Sequence, residues 1–256
     1  MIERAHESAL STAPNAARLR EFTPARVGLG RTGVSQQARD VLAFQLAHAR
    51  ARDAVHANMD AAGLEASIAS MTASVLRLHS AAADRATYLQ RPDLGRQLDE
   101  KSREALRGVK ASGFDLGLIV ADGLSALAAE RHAPALLAEW LPRLVDWRLG
   151  PICIVEQGRV AIGDEIGFAL GAELSVVLIG ERPGLSSADS LGAYITWRPR
   201  PGRTDAERNC ISNIRAEGLS YREAADQLMH CLATARRRGL TGTAPGEEKI
   251  LMDGEQ

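Results

Sequence analysis

Apolar residues recur along this chain at two different periods, and the change from one to the other divides it. From Ser35 onward Val41, Phe44, His48 and Val55 fall at helical spacing, with Ser35 placed as an N-cap. Ile68, Met71, Val75 and Leu78 continue in the same style, and after RPDLG the spacing of Leu94, Leu98 and Leu106 resumes it. The pattern predicts helix through this portion and no strand before about residue 114. His48 lies on the apolar face and reads as a hydrogen-bonded core histidine rather than a metal ligand.

The texture changes at GVKASG, residues 108–113, where small residues and a lysine interrupt the stripe. Beyond it come short, continuous apolar runs at Leu116–Ala121, Ile152–Val155, Leu174–Ile179 and Ala193–Trp197, with helical stretches between several of them. Such alternation predicts βα units and a mostly parallel sheet, and VVLI suits a strand covered on both faces. The expected class is α/β: an N-terminal all-helical region followed by a Rossmann-like domain with a mostly parallel sheet. The expected divisions are a flexible segment 1–22, a helical domain 23–112 and a Rossmann-like domain 113–256. The last helix is the best marked. Ser220 and Glu223 have capping-box spacing, Tyr221, Ala225, Leu228 and Leu232 share a face, and Gly239 is placed to stop it.

Composition narrows the classes. A chain of 256 residues, 45% apolar and 25% charged, is long enough for a sizeable core and too polar for a membrane span. A net charge of −1 gives no field to attract nucleic acid, so Arg236, Arg237 and Arg238 read as complements to a helix C-terminus. Three cysteines without a CxxC suggest neither a disulfide framework nor structural zinc, and the opening MIERAHESALSTAP lacks the apolar run of a secretory signal. A cytoplasmic location is the expectation.

In open α/β sheets ligands gather at the carboxyl ends of the strands, where this chain places VADGLS, VEQGRVAIGDEIG and IGERPGLSS. Gly158, Gly163 and Gly167 read either as a plain strand-to-helix connection or as a close backbone approach to a ligand. The loop is neither GxGxxG nor a Walker motif, which weakens a stand-alone nucleotide-binding module as the function. Asp122 is expected to cap the helix that starts near Leu124, with ligand orientation as the alternative. Glu181 either pairs with Arg182 or accepts hydrogen bonds from amide-type donors on a ligand. Thr204 and Glu207 have capping-box spacing and predict a helix with Cys210 in its early turns, a small buried hydrophobe or a functional thiol. With no GxSxG, HExxH or comparable signature, neither a catalytic residue nor a metal site is assigned.

Taken together, TPARVGLGRTG, YLQRPDLGRQLD, IVADGLS, VEQGRVAIGDEIG, VLIGERPGLSS, TDAERNCISN and GLSY…RRRGLTG resemble the small subunits of ethanolamine ammonia-lyase. The resemblance implies adenosylcobalamin as cofactor and the radical conversion of ethanolamine to acetaldehyde and ammonia. It also implies a large, barrel-forming partner subunit that carries the substrate pocket, and enclosure in a bacterial microcompartment is compatible with it. Carried over residue by residue, the cobalamin contacts fall on Val160, Glu181 and Cys210, with Arg159 a neighbouring candidate. No DxH occurs in the sequence, so base-on binding of the cofactor is expected.

Overall fold

The computed structural model describes residues 18–243 apart from 20, 24, 73 and 110–112, so the expected flexible segment 1–22 lies largely outside the described residues. Two compact units are present, one running to Asp53 and including Gly184–Ala188, the other formed by Ala54–Pro183 with the chain from Asp189 onward. In the first, strands β1 (Arg31–Thr32) and β2 (Ser35–Gln36) pair antiparallel, and helix α1 (Ala38–His56) follows. Ser35 therefore sits in β2 and does not cap the helix. The face expected to be apolar and covered is only partly so, with Phe44 exposed and Val41 and Val55 half-buried, and the neighbouring Leu42 and Leu46 are exposed. His48 is exposed too and stacks on Phe44 with ring centroids 6.3 Å apart, which replaces the core-histidine expectation.

The second unit carries the strands β3 (Val75–His79), β4 (Leu116–Ala121), β5 (Ile152–Glu156), β6 (Leu174–Gly180), β7 (Leu191–Trp197) and β8 (Arg208–Ile214). They form one six-stranded sheet in the order β3-β5-β4-β6-β7-β8, parallel from β3 to β6 and antiparallel across β7 and β8. Its helices are α2 (Ala61–Ala69), α3 (Arg85–Gln90), α4 (Glu100–Arg107), α5 (Ala126–Trp140), α6 (Ile162–Ala169) and α7 (Tyr221–Arg238). The α/β class is as expected, because four continuous apolar runs can be buried only with helices on both faces. On one face Leu118, Val120, Ile154 and Val176 meet Ile68 of α2, Trp140 of α5 and Leu228 of α7. On the other, Ile119, Val155 and Val177 meet Leu106 of α4 and Ile166 of α6.

Expectations at both edges of the sheet are corrected. The stripe Ile68, Met71, Val75, Leu78 is not one helix: α2 ends at Ala69, and Val75–His79 is a strand beside β5, with Val75 opposite Ile152 and Leu78 opposite Val155. Region 23–112 is thus not all-helical, and one of its segments supplies an edge of the sheet. The spacing of those four residues suits a helix, but the open backbone edge of β5 offers ladder hydrogen bonds that a local helix cannot match. Leu94, Leu98 and Leu106 are likewise divided, because Asp99 caps a new helix by accepting from Ser102 N–H at 2.7 Å. At the other edge, the Thr204–Glu207 signal closes a single turn, Asp205–Glu207, in which the Glu207 carboxylate accepts from Thr204 N–H at 2.7 Å. The chain then enters β8, where Cys210 faces Tyr194 across the ladder and is exposed rather than buried in a helix.

The final helix follows its signals. Ser220 and Glu223 exchange hydrogen bonds, Ala225, Leu228 and Leu232 are buried, and Gly239 ends the helix in the left-handed region at φ 68°. Among the described residues no helix is long and apolar enough to cross a membrane.

The glycines of VEQGRVAIGDEIG seat a helix on the sheet, for a Cβ at Gly163 would strike the Val177 side chain and one at Gly167 would strike Pro199. In a free helix Gly→Ala stabilises by about 1 kcal/mol. Here Gly163→Ala is expected to destabilise by about 1–3 kcal/mol, because Val177 is stiff and has no room to withdraw. The midpoint of urea unfolding checks the sign, and an unchanged or higher midpoint would mean that α6 lifts off β6 without cost.

Candidate functional site

Because β4, β5 and β6 are parallel, their carboxyl ends share one side of the sheet, and the loops 122–125, 157–161 and 181–190 emerge there together. Asp122 ends β4 with no solvent exposure. Its carboxylate accepts from the backbone N–H groups of Gln157 and Gly158, each at 2.9 Å, and faces Arg85 Nη1 at 3.4 Å. Arg85 in turn donates to the carbonyls of Gly123 at 2.8 Å and Val55 at 2.7 Å. The helix cap is Ser125, which accepts from Ala128 N–H at 3.3 Å, so Asp122 is neither the cap nor an exposed ligand group. It is the anchor of the next loop, and holds Gln157 in the left-handed region at φ 57°.

The loop is gripped from below as well. The buried Tyr88 hydroxyl donates to Gly158 O at 3.3 Å, and the Arg159 guanidinium lies 4.3 Å from the centre of the Tyr88 ring. Arg159 N–H donates to Gly95 O at 2.7 Å. These contacts present Val160 half-buried, with part of its side chain against the core and part facing out.

Glu181 follows β6 directly. Its carboxylate accepts from the hydroxyls of Ser190 and Ser212 and from Asn213 N–H at 3.2 Å. Arg182, the sequence neighbour expected as a partner, is not among these donors. Glu181 lies over Gly192, where a Cβ would come 3.0 Å from Oε1 and 3.1 Å from Cγ, so a side chain there would press the carboxylate out of place by a few tenths of an ångström. Tyr194 is next along β7 on the same face and stands opposite Cys210 in register. Burial, and then the adjacent thiol, push the Tyr194 phenol well above its ordinary range, so it remains a hydrogen-bond donor at neutral pH.

Val160 and Glu181 line one open cleft of about 460 Å³, together with Tyr88, Leu124, Arg159 and Tyr194. Cys210 is not in its lining and reaches it through Tyr194. Sequence reasoning missed Tyr88, Tyr194 and Ser212. Tyr88 opens the YLQRPDLGRQLD block on a short helix after the first strand of the sheet, and Ser212 lies in TDAERNCISN, but their meeting with Tyr194 at one cleft depends on which strands pair.

A family model described as ethanolamine ammonia-lyase light chain (EutC) matches residues 13–244. The chain belongs to this family. The ethanolamine ammonia-lyase small subunit of Pseudomonas fluorescens is 56% identical over 229 residues, covering 88% of this chain and 84% of its own length. That of Xanthomonas campestris is 55% identical over 237 residues, 91% of this chain and 87% of its own. That of Pseudomonas aeruginosa is 54% identical over 245 residues, 93% and 89% respectively. The lyase-subunit assignment thus covers both units of the fold.

Burial pushes the Asp122 carboxyl up to about 6 from 3.8, against the pull of the Gln157 amide, Arg85 and the Gly158 amide. Between these values the native state keeps the proton and the unfolded chain has lost it, so stability falls as pH rises from roughly 4 to 6 and is level above. The change is on the order of 3 kcal/mol. Asp122→Asn is expected to abolish this slope and to weaken the fold at neutral pH, since its amide turns a donor toward backbone N–H groups. Denaturant unfolding of both proteins across pH 4–8 checks this, and parallel curves would refute the assignment.

Proposed function

We propose that this chain is the small subunit of an adenosylcobalamin-dependent ethanolamine ammonia-lyase, and that its cleft covers one edge of the corrin at the interface with the large subunit. The observation that carries the reading is the convergence of Val160 and Glu181, from separate strand ends, on one open cleft beside Cys210. The residues fit such a group. Val160, Leu124 and Ile179 offer apolar surface to a ring edge, while the Glu181 carboxylate and the Ser212 and Tyr194 hydroxyls suit a fringe of amides. The cleft is open and smaller than a corrin with its side chains, which suits a wall that a second subunit completes.

When bound, adenosylcobalamin supplies the radical chemistry that turns ethanolamine into acetaldehyde and ammonia. This chain's part is to orient and to exclude water. Glu181 accepts from three donors of the chain itself and keeps acceptor capacity for a further one, and Arg159 closes the lower side by stacking on Tyr88. Among the described residues the cleft lining holds no histidine, cysteine or lysine, and substrate handling falls to the large subunit.

The test is equilibrium titration of the assembled complex with cyanocobalamin. Glu181→Gln keeps the size but removes charge-assisted acceptance, worth roughly 1.5–3 kcal/mol per bond, and affinity is expected to fall about tenfold or more. Unchanged affinity with the subunits still associated would refute the site. The chain alone is expected to form no acetaldehyde from ethanolamine with adenosylcobalamin present, and appreciable turnover would refute the division of labour.

A further inference from the structure

Resting on the cobalamin reading, we propose that Asp164 and Arg208 are positioning residues whose ion pair sets the separation between the Val160 loop and the Cys210 strand. Asp164 stands in the first turn of α6, just after Val160, and Arg208 opens β8, just before Cys210. Both side chains are 2% exposed. The guanidinium spans the carboxylate, Nη1 to Oδ1 at 2.7 Å and Nη2 to Oδ2 at 2.6 Å. Nη1 also donates to Thr196 Oγ1 at 2.8 Å, and Nη2 to Arg203 O at 3.1 Å.

Register puts these groups in one column. Thr196 is opposite Arg208 and Tyr194 is opposite Cys210, and positions two apart on a strand share a face. The column runs from the sealed ion pair, through Tyr194 and Cys210, to Glu181 over Gly192. The pair therefore joins the helix that follows Val160 to the two strands that carry Tyr194, Cys210 and Ser212. The neighbouring acid of the same motif works in the other direction, for Glu165 accepts from Arg103 Nε at 2.6 Å and Leu98 N–H at 2.9 Å on the α4 side.

A buried ion pair contributes little net stability over an apolar pair of similar volume, because desolvation offsets the attraction. What it imposes is geometry, since a planar fork on a carboxylate fixes both distance and orientation. Val160 and Cys210 lie on different elements; the sheet ladder and the Asp122 anchor place each of them, and this pair is a direct side-chain tie between the helix after Val160 and the strand of Cys210.

The test uses two variants in the assembled complex, Asp164→Leu/Arg208→Met, which replaces the pair with apolar side chains, and Arg208→Lys, which keeps the charge but cannot span both oxygens. Each is titrated with cyanocobalamin, and the induced circular dichroism of the corrin bands is recorded. Both variants are expected to assemble, to lose affinity about fivefold or more, and to alter the dichroism. Wild-type affinity and dichroism in an assembling variant would overturn the proposal. So would failure of both to assemble, which would make the pair a determinant of folding alone. Val160→Asp in the same assay separates the two readings. Unchanged affinity there refutes the cobalamin site itself, whereas a loss there beside wild-type behaviour of the pair variants refutes only the positioning role.

Discussion

The Asp122 carboxylate, closed off from water just past the end of the central strand β4, is the constraint around which the carboxyl-end side of the sheet is organised. Parallel strands end together and leave the first amides of each outgoing loop without a ladder partner. After β5 those amides belong to Gln157 and Gly158, and Asp122 takes both. Arg85 then balances the buried charge and ties the carbonyls of Gly123 and Val55 to it. Remove the carboxylate, and two N–H groups and a guanidinium are stranded in a dry interior. The left-handed Gln157 is the visible consequence, a non-glycine residue kept there because its neighbours are over-determined.

The same logic recurs around the cleft, where charges removed from water are matched by geometry rather than by number. Arg208 grips Asp164, Arg103 grips Glu165, and Glu181 rests among hydroxyls and an amide. A further chain reaches Glu181 from behind. His132 of α5, whose pKa burial holds down, takes a 2.9 Å hydrogen bond with the Tyr221 hydroxyl through Nδ1 and places Nε2 3.6 Å from Asp189. Asp189 is bound by Arg131 and precedes Ser190, the residue whose hydroxyl meets Glu181. The seat of the carboxylate is thus referred back to α5, a helix buried on the opposite face of the sheet from α6.

These ties make the cleft stiff and still leave it open. Stiffness suits a surface that completes a binding site with another protein, because little ordering entropy remains to be lost when the two halves meet. Openness suits a ligand wider than the cleft. Both properties agree with membership of a lyase small-subunit family more readily than with a self-contained enzyme.

Much of this was legible in the residues themselves. The runs that became β4, β5 and β6 are almost wholly apolar and rich in β-branched residues, as suits strands covered on both faces. The ends of α7 were equally plain, since Ser220, Glu223 and Gly239 act on backbone within a few residues of themselves. Val160 was singled out only by the resemblance of its block, and Glu181 by its place after an apolar run with two roles left open; the fold brings both to one cleft. What sequence alone could not decide was everything set by a partner far along the chain. Val75–His79 took strand form because β5 had a free edge, and Arg208–Ile214 did so because β7 had one, against a capping signal that was satisfied within a single turn. Asp122 looked like a cap because capping is local, yet its partners lie at Gln157 and Gly158, across a whole βαβ unit. Spacing and capping reach only a few residues, whereas ladder pairing and the burial of charge are settled between segments that meet only when the chain is folded.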